Sequence, residues 1–202
     1  MATKPETIHS LDEAVAQLIE AVAERRSSRR LVLAVGGPVG SGKSTLAERL
    51  GGTVVTTDDY LPDYEKTEYE LRDEPDSSDL PRLAEDLQTL QETGRGDIPR
   101  WCFHEHRRVD CRVIEAGDLI ICEGLFALHP LIASVTDIRV LVRADRDVRW
   151  DRWERIEQAG ERGWGVDRAR DHFNRIADPT YAKHAHLYER DLDYIVLNNS
   201  TG

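Results

Sequence analysis

Gly37-Pro38-Val39-Gly40-Ser41-Gly42-Lys43-Ser44 is the stretch from which the rest of the sequence is read. It has the form G-x-x-x-x-G-K-S, a loop that cradles phosphates. An unbroken apolar run of strand length, Leu31-Val32-Leu33-Ala34-Val35, precedes it. Ser44-Thr45-Leu46-Ala47-Glu48-Arg49-Leu50 follows, with helix formers and Leu46 and Leu50 four apart. Strand, glycine loop and helix are the context such a loop needs. Without a Cβ at Gly37, Gly40 and Gly42, backbone N–H groups can curl around phosphate oxygens. Ser41 and Thr45 complete the cradle, and the new helix points its positive end at the same anion. Lys43 can reach the outer phosphates, and the Ser44 hydroxyl can ligate Mg²⁺. The reading is a nucleotide-binding site with Mg²⁺ beside the phosphates.

At 202 residues, 40% of them hydrophobic, the chain is read as one domain with a real core. A formal net charge of −11, spread along the chain, argues against a nucleic-acid partner. A nucleotide can still sit in a local cationic pocket. Cys102, Cys111 and Cys122 are three in number and form no CxxC pair, so neither a disulfide framework nor a zinc site is expected. No signal-peptide core and no bilayer-length apolar run is present, and the expectation is a cytoplasmic protein with no membrane partner. Homo-oligomerisation stays open.

Residues 1–9 read as a loose tail. Ser10 with Glu13 makes a capping box for an accessory helix over 10–26, with Leu11, Val15, Leu18 and Val22 on one stripe. Arg25 to Arg30 reads as a solvated basic turn. After the loop helix, Gly51-Gly52 stops the chain and Thr53-Val54-Val55-Thr56 forms a short strand ending at Asp58-Asp59-Tyr60. Carboxylates at the carboxyl end of a parallel strand face the crevice where α/β sheets bind ligands, so Asp58 is the candidate base. Leu119-Ile120-Ile121-Cys122 is a second buried strand, and Glu123 at its end stands where a metal-bound water is held.

A helix over 79–93 buries Leu80, Leu83, Leu87 and Leu90. Two strands, Ile98 to Phe103 and Arg108 to Ile114, are expected to form a hairpin over 97–115. His104 and His106 would share one strand face, and a substrate-facing wall suits that stretch better than a metal site. Ile138 to Val142 and Tyr194 to Leu197 complete the strand series. Between them, 145–178 is dense in arginine and interrupted by Gly160, Gly163 and Gly165. Helix, glycine-hinged tip and return helix describe a lid that delivers arginines to a transferring phosphoryl group. For most of these arginines, pairing with neighbouring Asp and Glu is explanation enough.

Several further motifs stand in register with the loop: Thr57-Asp58-Asp59-Tyr60, Asp73-Glu74-Pro75-Asp76, Ile98-Pro99, Trp101-Cys102-Phe103, His106-Arg107-Arg108, Ile121-Cys122-Glu123-Gly124, Asp147-Val148-Arg149, Glu161-Arg162-Gly163 and Leu192 to Val196. On these residues, roughly 30–198 resembles the uridine kinase group of the phosphoribulokinase and uridine kinase family. The resemblance implies an α/β P-loop NTPase three-layer sandwich: a five-stranded parallel sheet with helices on both faces, a small β-hairpin and a helical lid. It implies ATP–Mg²⁺ as donor and a small hydroxyl-bearing acceptor. Asp58 matches the base, and Asp73 an acid that holds ribose hydroxyls. Trp101, Phe103, His106 and Arg108 match the pocket around the nucleobase, and Arg155 and Arg162 are the lid candidates for the phosphates.

The chain also departs from that pattern. Trp101 replaces a usual tyrosine, Cys102 an aspartate, Glu74 a histidine and Trp164 an arginine, while His172 stands where a base-contacting glutamine is common. Arg152-Trp153-Glu154-Arg155 is one residue out of step with the family's lid arginines. The implied reaction is transfer of the γ-phosphoryl to a primary hydroxyl, with a uridine- or cytidine-like nucleoside as first choice. Rival readings are a kinase of nicotinamide riboside, pantothenate or a sugar acid, and a nucleotide-dependent switch with no acceptor.

Overall fold

The computed structural model describes residues 4–25 and 28–200. Strand β2 (Leu31–Gly36) is buried along its whole length because it lies between two parallel neighbours and under helices on both faces. Its side chains alternate between two cores: Val32 and Ala34 face one, Leu33 and Val35 the other. An unbroken apolar run is therefore what this position demands. The sheet is six-stranded and parallel, in the order β1 (Glu6–Ile8), β8 (Tyr194–Leu197), β7 (Ile138–Arg143), β2, β6 (Leu119–Gly124) and β3 (Thr53–Thr56).

The sequence led to five strands, and the sixth corrects the reading of 1–9 as a loose tail. Glu6, Thr7 and Ile8 pair in parallel with Tyr194, Ile195 and Val196, and Ile8 is fully buried. Three residues carry too little pattern to reveal a strand, and the partner lies at the other end of the chain. Helix α1 (Leu11–Glu24) begins on the expected N-cap, Ser10 Oγ accepting from Glu13 N–H at 3.2 Å, while Glu13 Oε2 accepts from His9 N–H at 3.3 Å, one residue before the Ser10 N–H that a capping box uses. It ends at Glu24, and the expected 26 lies outside the described residues. The basic turn is more than solvated surface. Arg25 donates to the Asp137 carbonyl at 2.6 Å and pairs with Asp193 at 2.8 Å, and Arg29 pairs with Asp137. Arg26 and Ser27 lie outside the described residues.

Helices α1 and α2 (Lys43–Leu50) cover one sheet face, burying Ala14, Leu18, Leu46, Ala47 and Leu50 with Ile8. On the other face α3 (Leu80–Thr93) buries Leu80, Leu83, Leu87 and Leu90, joined by Phe126, Ile132 of the short α4 (Pro130–Ala133), Tyr181 and Tyr188. Strands β4 (Arg95–Cys102) and β5 (Arg107–Glu115) form a separate antiparallel hairpin. His104 and His106 lie in its turn, not on a strand face, and His106 takes a φ of 52°. The stretch 145–178, expected to act as a lid, holds α5 (Arg146–Gln158), a glycine turn, α6 (Val166–His172) and a π-turn over Phe173–Ala177, and runs into α7 (Asp178–Tyr188).

Ile8→Ala removes a fully buried side chain from the edge strand. It should cost about 2–5 kcal/mol, read as a lower denaturant midpoint at unchanged m-value. A change below about 0.5 kcal/mol would mean that residues 6–8 are not in the sheet.

Candidate active site

The crevice lies beyond the carboxyl ends of β2, β6 and β3, where an open parallel sheet binds ligands. Chain order explains it: the connection from β2 runs outward to β3, and β6 then returns to fill the gap between them. One cavity of about 390 Å³ occupies this position. Gly40, Gly42, Lys43, Ser44 and Thr45 line it, with Asp58, Asp73, Glu123, Trp101, Phe103, Arg155, Arg162 and His172. Residues far apart in sequence thus share one space. Gly37, at the end of β2, and the fully buried Ser41 stand behind the loop and do not line it.

Lys43 is the first residue of α2, and its Nζ donates to the Pro38 carbonyl at 3.0 Å. Burial pushes its ammonium below the ordinary lysine range, opposed by the carboxylates of Glu123 and Asp58. Glu123 is pushed above the usual carboxylate range, first by burial and then by Asp58. Its Oε2 accepts from Ser44 Oγ at 3.2 Å. Two acids and one ammonium therefore crowd one partly buried space.

Ser44 and Glu123 offer oxygens, the donor type that suits Mg²⁺. Among the described residues no group of three or more His, Cys, Asp or Glu could hold a metal ion. The donor set thus fits an ion that completes its shell with phosphate and water, as Mg²⁺ on a nucleotide does. When bound, Mg²⁺ would neutralise charge on the outer phosphates.

Asp58 sits in a short 3₁₀ turn, Thr57–Tyr60, that continues β3. Its N–H bonds Thr56 Oγ1 at 3.3 Å. Gly124 lets this turn approach β6: its φ is 139°, and a Cβ there would lie 2.0 Å from Thr57 Oγ1. Asp58 lines the cavity together with Lys43 and Glu123 and with Tyr64, and its charge bears on the ionisation of all three. The adjacent Asp59 has a different task. Its buried carboxylate accepts from Trp101 N–H at 3.0 Å and from Arg112 at 3.1 Å, tying the hairpin to the sheet. Trp101 Nε1–H donates to the Pro62 carbonyl at 3.3 Å, so the indole is held at both ends.

Tyr64, Phe103 and Trp164 join Trp101 in an aromatic wall. Asp73 is buried beside it, with Oδ2 3.2 Å from His172 Nε2. His106 and Arg108 do not line this cavity. His106 faces a neighbouring one with Arg72 and Arg168, and its Nδ1 accepts from Trp164 Nε1–H at 3.3 Å. Arg108 is drawn outward to Asp79 at 3.1 Å. Four lid arginines serve structure: Arg146 and Arg149 pair with Asp178, Arg170 with Glu154 and Arg175 with Asp171. Arg152, Arg155 and Arg162 reach the cavity, the last stacked 5.0 Å from the Phe103 ring centre.

Sequence reasoning missed Tyr64, Glu157 and the backbone-directed role of Arg152. Tyr64 lies in a turn-rich stretch with no periodicity to mark it. Glu157 looks like one more surface acid, yet it is buried and accepts from Trp153 Nε1–H, Trp164 N–H and Gly165 N–H at 3.1, 3.2 and 3.2 Å. It thereby clips the lid tip.

A parallel sheet with a phosphate loop and acids at the ends of the two neighbouring strands defines a P-loop kinase. The Phosphoribulokinase / Uridine kinase family profile matches residues 32–197, and the chain belongs to that family. It is 28% identical over 190 residues to the uridine kinase of Lactobacillus johnsonii, covering 85% of this chain and 88% of the relative. Two solved structures share its fold. A Silicibacter sp. TM1040 protein, provisionally named a fructose transport system kinase, superposes with a TM-score of 0.72 at 18% identity, over 90% of this chain and 98% of its own. A Bacillus stearothermophilus protein, provisionally named a uridine kinase, gives 0.59 at 19% identity, over 92% and 98%. The protein is an ATP-dependent phosphotransferase that acts on an alcohol. No helix among the described residues is long and apolar enough to cross a membrane.

Lys43→Met should weaken Mg·ATP binding about 10- to 150-fold, the loss of a charge-assisted contact worth about 1.5–3 kcal/mol. Isothermal titration calorimetry reads it. Nucleotide-free protein should melt no lower than wild type, because an ammonium disfavoured by burial has been removed. Unchanged ATP affinity would take Lys43 out of the site.

Proposed function

We propose that the chain transfers the γ-phosphoryl of ATP to the primary hydroxyl of a ribonucleoside, uridine or cytidine before others. The observation that carries this reading is the position of Asp58, between the phosphate loop and an aromatic pocket that also holds Asp73. Flat rings stack on Trp101, Phe103, Tyr64 or Trp164, and Asp73 accepts from ribose hydroxyls. The uridine kinase relative supports the same acceptor class.

In this mechanism the glycine loop and Lys43 hold the triphosphate. Ser44 and Glu123 would hold the metal ion, which would supply positive charge to the outer phosphates. Asp58 accepts the proton of the acceptor hydroxyl as its oxygen bonds the γ-phosphorus and the bond to the β-phosphate oxygen breaks, leaving ADP. Arg155 and Arg162 carry positive charge to the transferring group. Most of the acceleration comes from alignment and charge neutralisation.

Asp58→Asn should lower kcat by about 10²- to 10⁴-fold while ATP affinity stays near wild type. Coupled ADP-release kinetics with parallel calorimetry measure both; unchanged turnover removes Asp58 as the base. A panel of uridine, cytidine, 2′-deoxyuridine, purine nucleosides, nicotinamide riboside, pantothenate and glycerate tests the acceptor. Ribopyrimidines should give the highest kcat/KM, and Asp73→Asn should narrow the gap between uridine and 2′-deoxyuridine. A non-nucleoside alcohol at the top of the panel would overturn the acceptor class. ATP consumption that no acceptor stimulates would instead favour a nucleotide switch.

A further inference from the structure

Arg152 does not behave as a lid arginine. It lies on α5 and turns away from carboxylates: among the described residues it makes no ion pair. One terminal nitrogen donates to the carbonyls of Gly40 at 3.0 Å and Ser41 at 3.3 Å. The other donates to the carbonyls of Asn198 at 3.0 Å and Ser200 at 2.9 Å, just past β8. Asn198 closes the same joint, its Nδ2–H₂ donating to the Ser41 carbonyl at 2.8 Å. The packing is tight, since a Cβ at Gly42, where φ is 99°, would lie 2.3 Å from Asn198 Nδ2.

These contacts fall on carbonyls of the phosphate loop, at the edge of the cavity that Arg152 also lines. Ser41 N–H is taken by the Pro38 carbonyl at 3.2 Å, but the Ser41–Gly42 peptide unit, which can present Gly42 N–H to an anion, presents its carbonyl to the other side, where it needs a donor. A planar guanidinium can serve several carbonyls at once, which an ammonium cannot do in one geometry. Because no carboxylate among the described residues pairs with it, the charge of Arg152 also acts on the anion site it borders.

We propose that Arg152 is a positioning residue for the triphosphate, one that fixes the Gly40 and Ser41 carbonyls of the loop and places beside it a positive charge that pairs with no carboxylate among the described residues. The inference rests on the nucleotide reading of the loop and is independent of which acceptor is used. It separates two properties. Arg152→Gln loses charge and fork together; Arg152→Lys keeps the charge and loses the fork.

The test is Mg·ATP binding by calorimetry, with steady-state kinetics on the best acceptor of the panel, using the full chain. Arg152→Gln should raise both the Kd and the KM for ATP about tenfold or more, and leave the KM for the acceptor within about twofold. Arg152→Lys should fall between it and wild type, and the salt dependence of ATP binding should weaken in Arg152→Gln only. A merely structural role would lower the melting temperature and leave ATP affinity within about twofold, and that result overturns the proposal. So does an equal rise in both KM values. If Arg152→Gln does not fold, Arg152→Lys decides by the same ATP-against-acceptor comparison. A wild-type chain that binds no Mg·ATP would sink the nucleotide reading and the strut together, a result distinct from normal wild-type binding with an indifferent Arg152.

Discussion

A loop that gathers backbone N–H groups around an anion must send its carbonyls the other way. This constraint governs the structure around residues 37–44. The carbonyls of Gly40 and Ser41 are met by Arg152, and Ser41 again by Asn198. Those two side chains come from the first lid helix and from the segment after the last strand. The phosphate loop is therefore the point at which the sheet, the lid and the end of the chain are joined, and its shape belongs to all three.

Charge on the inner side is balanced by similar economy. Lys43 is half-buried and would shed its proton more readily than an exposed lysine, while Glu123 and Asp58 pull it back toward the charged form. Glu123 in turn is held up by burial and by Asp58. A site with two acids around one ammonium is short of positive charge, which is the condition under which a divalent cation is welcome. Arg155 and Arg162 supply more from the lid side. The four arginines paired to Asp and Glu keep the lid helices packed, and this division of labour among similar residues is geometric: it follows from which helix face each one occupies.

The acceptor side is built on borrowed order. The segment after β3 has little regular structure, yet Tyr64 and Trp101 are fixed. Asp59 binds the Trp101 amide and Arg112, Pro62 binds the indole, and His106 O accepts from Tyr64 N–H at 3.0 Å. Buried polar contacts of this kind specify position at the cost of desolvation. Glu157 does the same for the lid tip, where two backbone N–H groups and one indole converge on its carboxylate.

Sequence alone carried the phosphate loop, the strands beside it, the two acids at their ends and the leucine face of α3, because each depends on spacing within a few residues. It also carried the family, through motifs whose order is itself information. Tertiary structure decided what depends on distant partners. Residues 6–8 became a strand because β8 offers an edge to pair with, and Arg108 pairs with Asp79 and does not line the cavity. His106 moved to a neighbouring cavity as part of a tight turn, and Tyr64 joined the site from a stretch without pattern. Short-range periodicity reports which way a side chain faces relative to its own backbone. It cannot report which remote group will be waiting there, and hydrogen bonds and ion pairs are settled by that second fact.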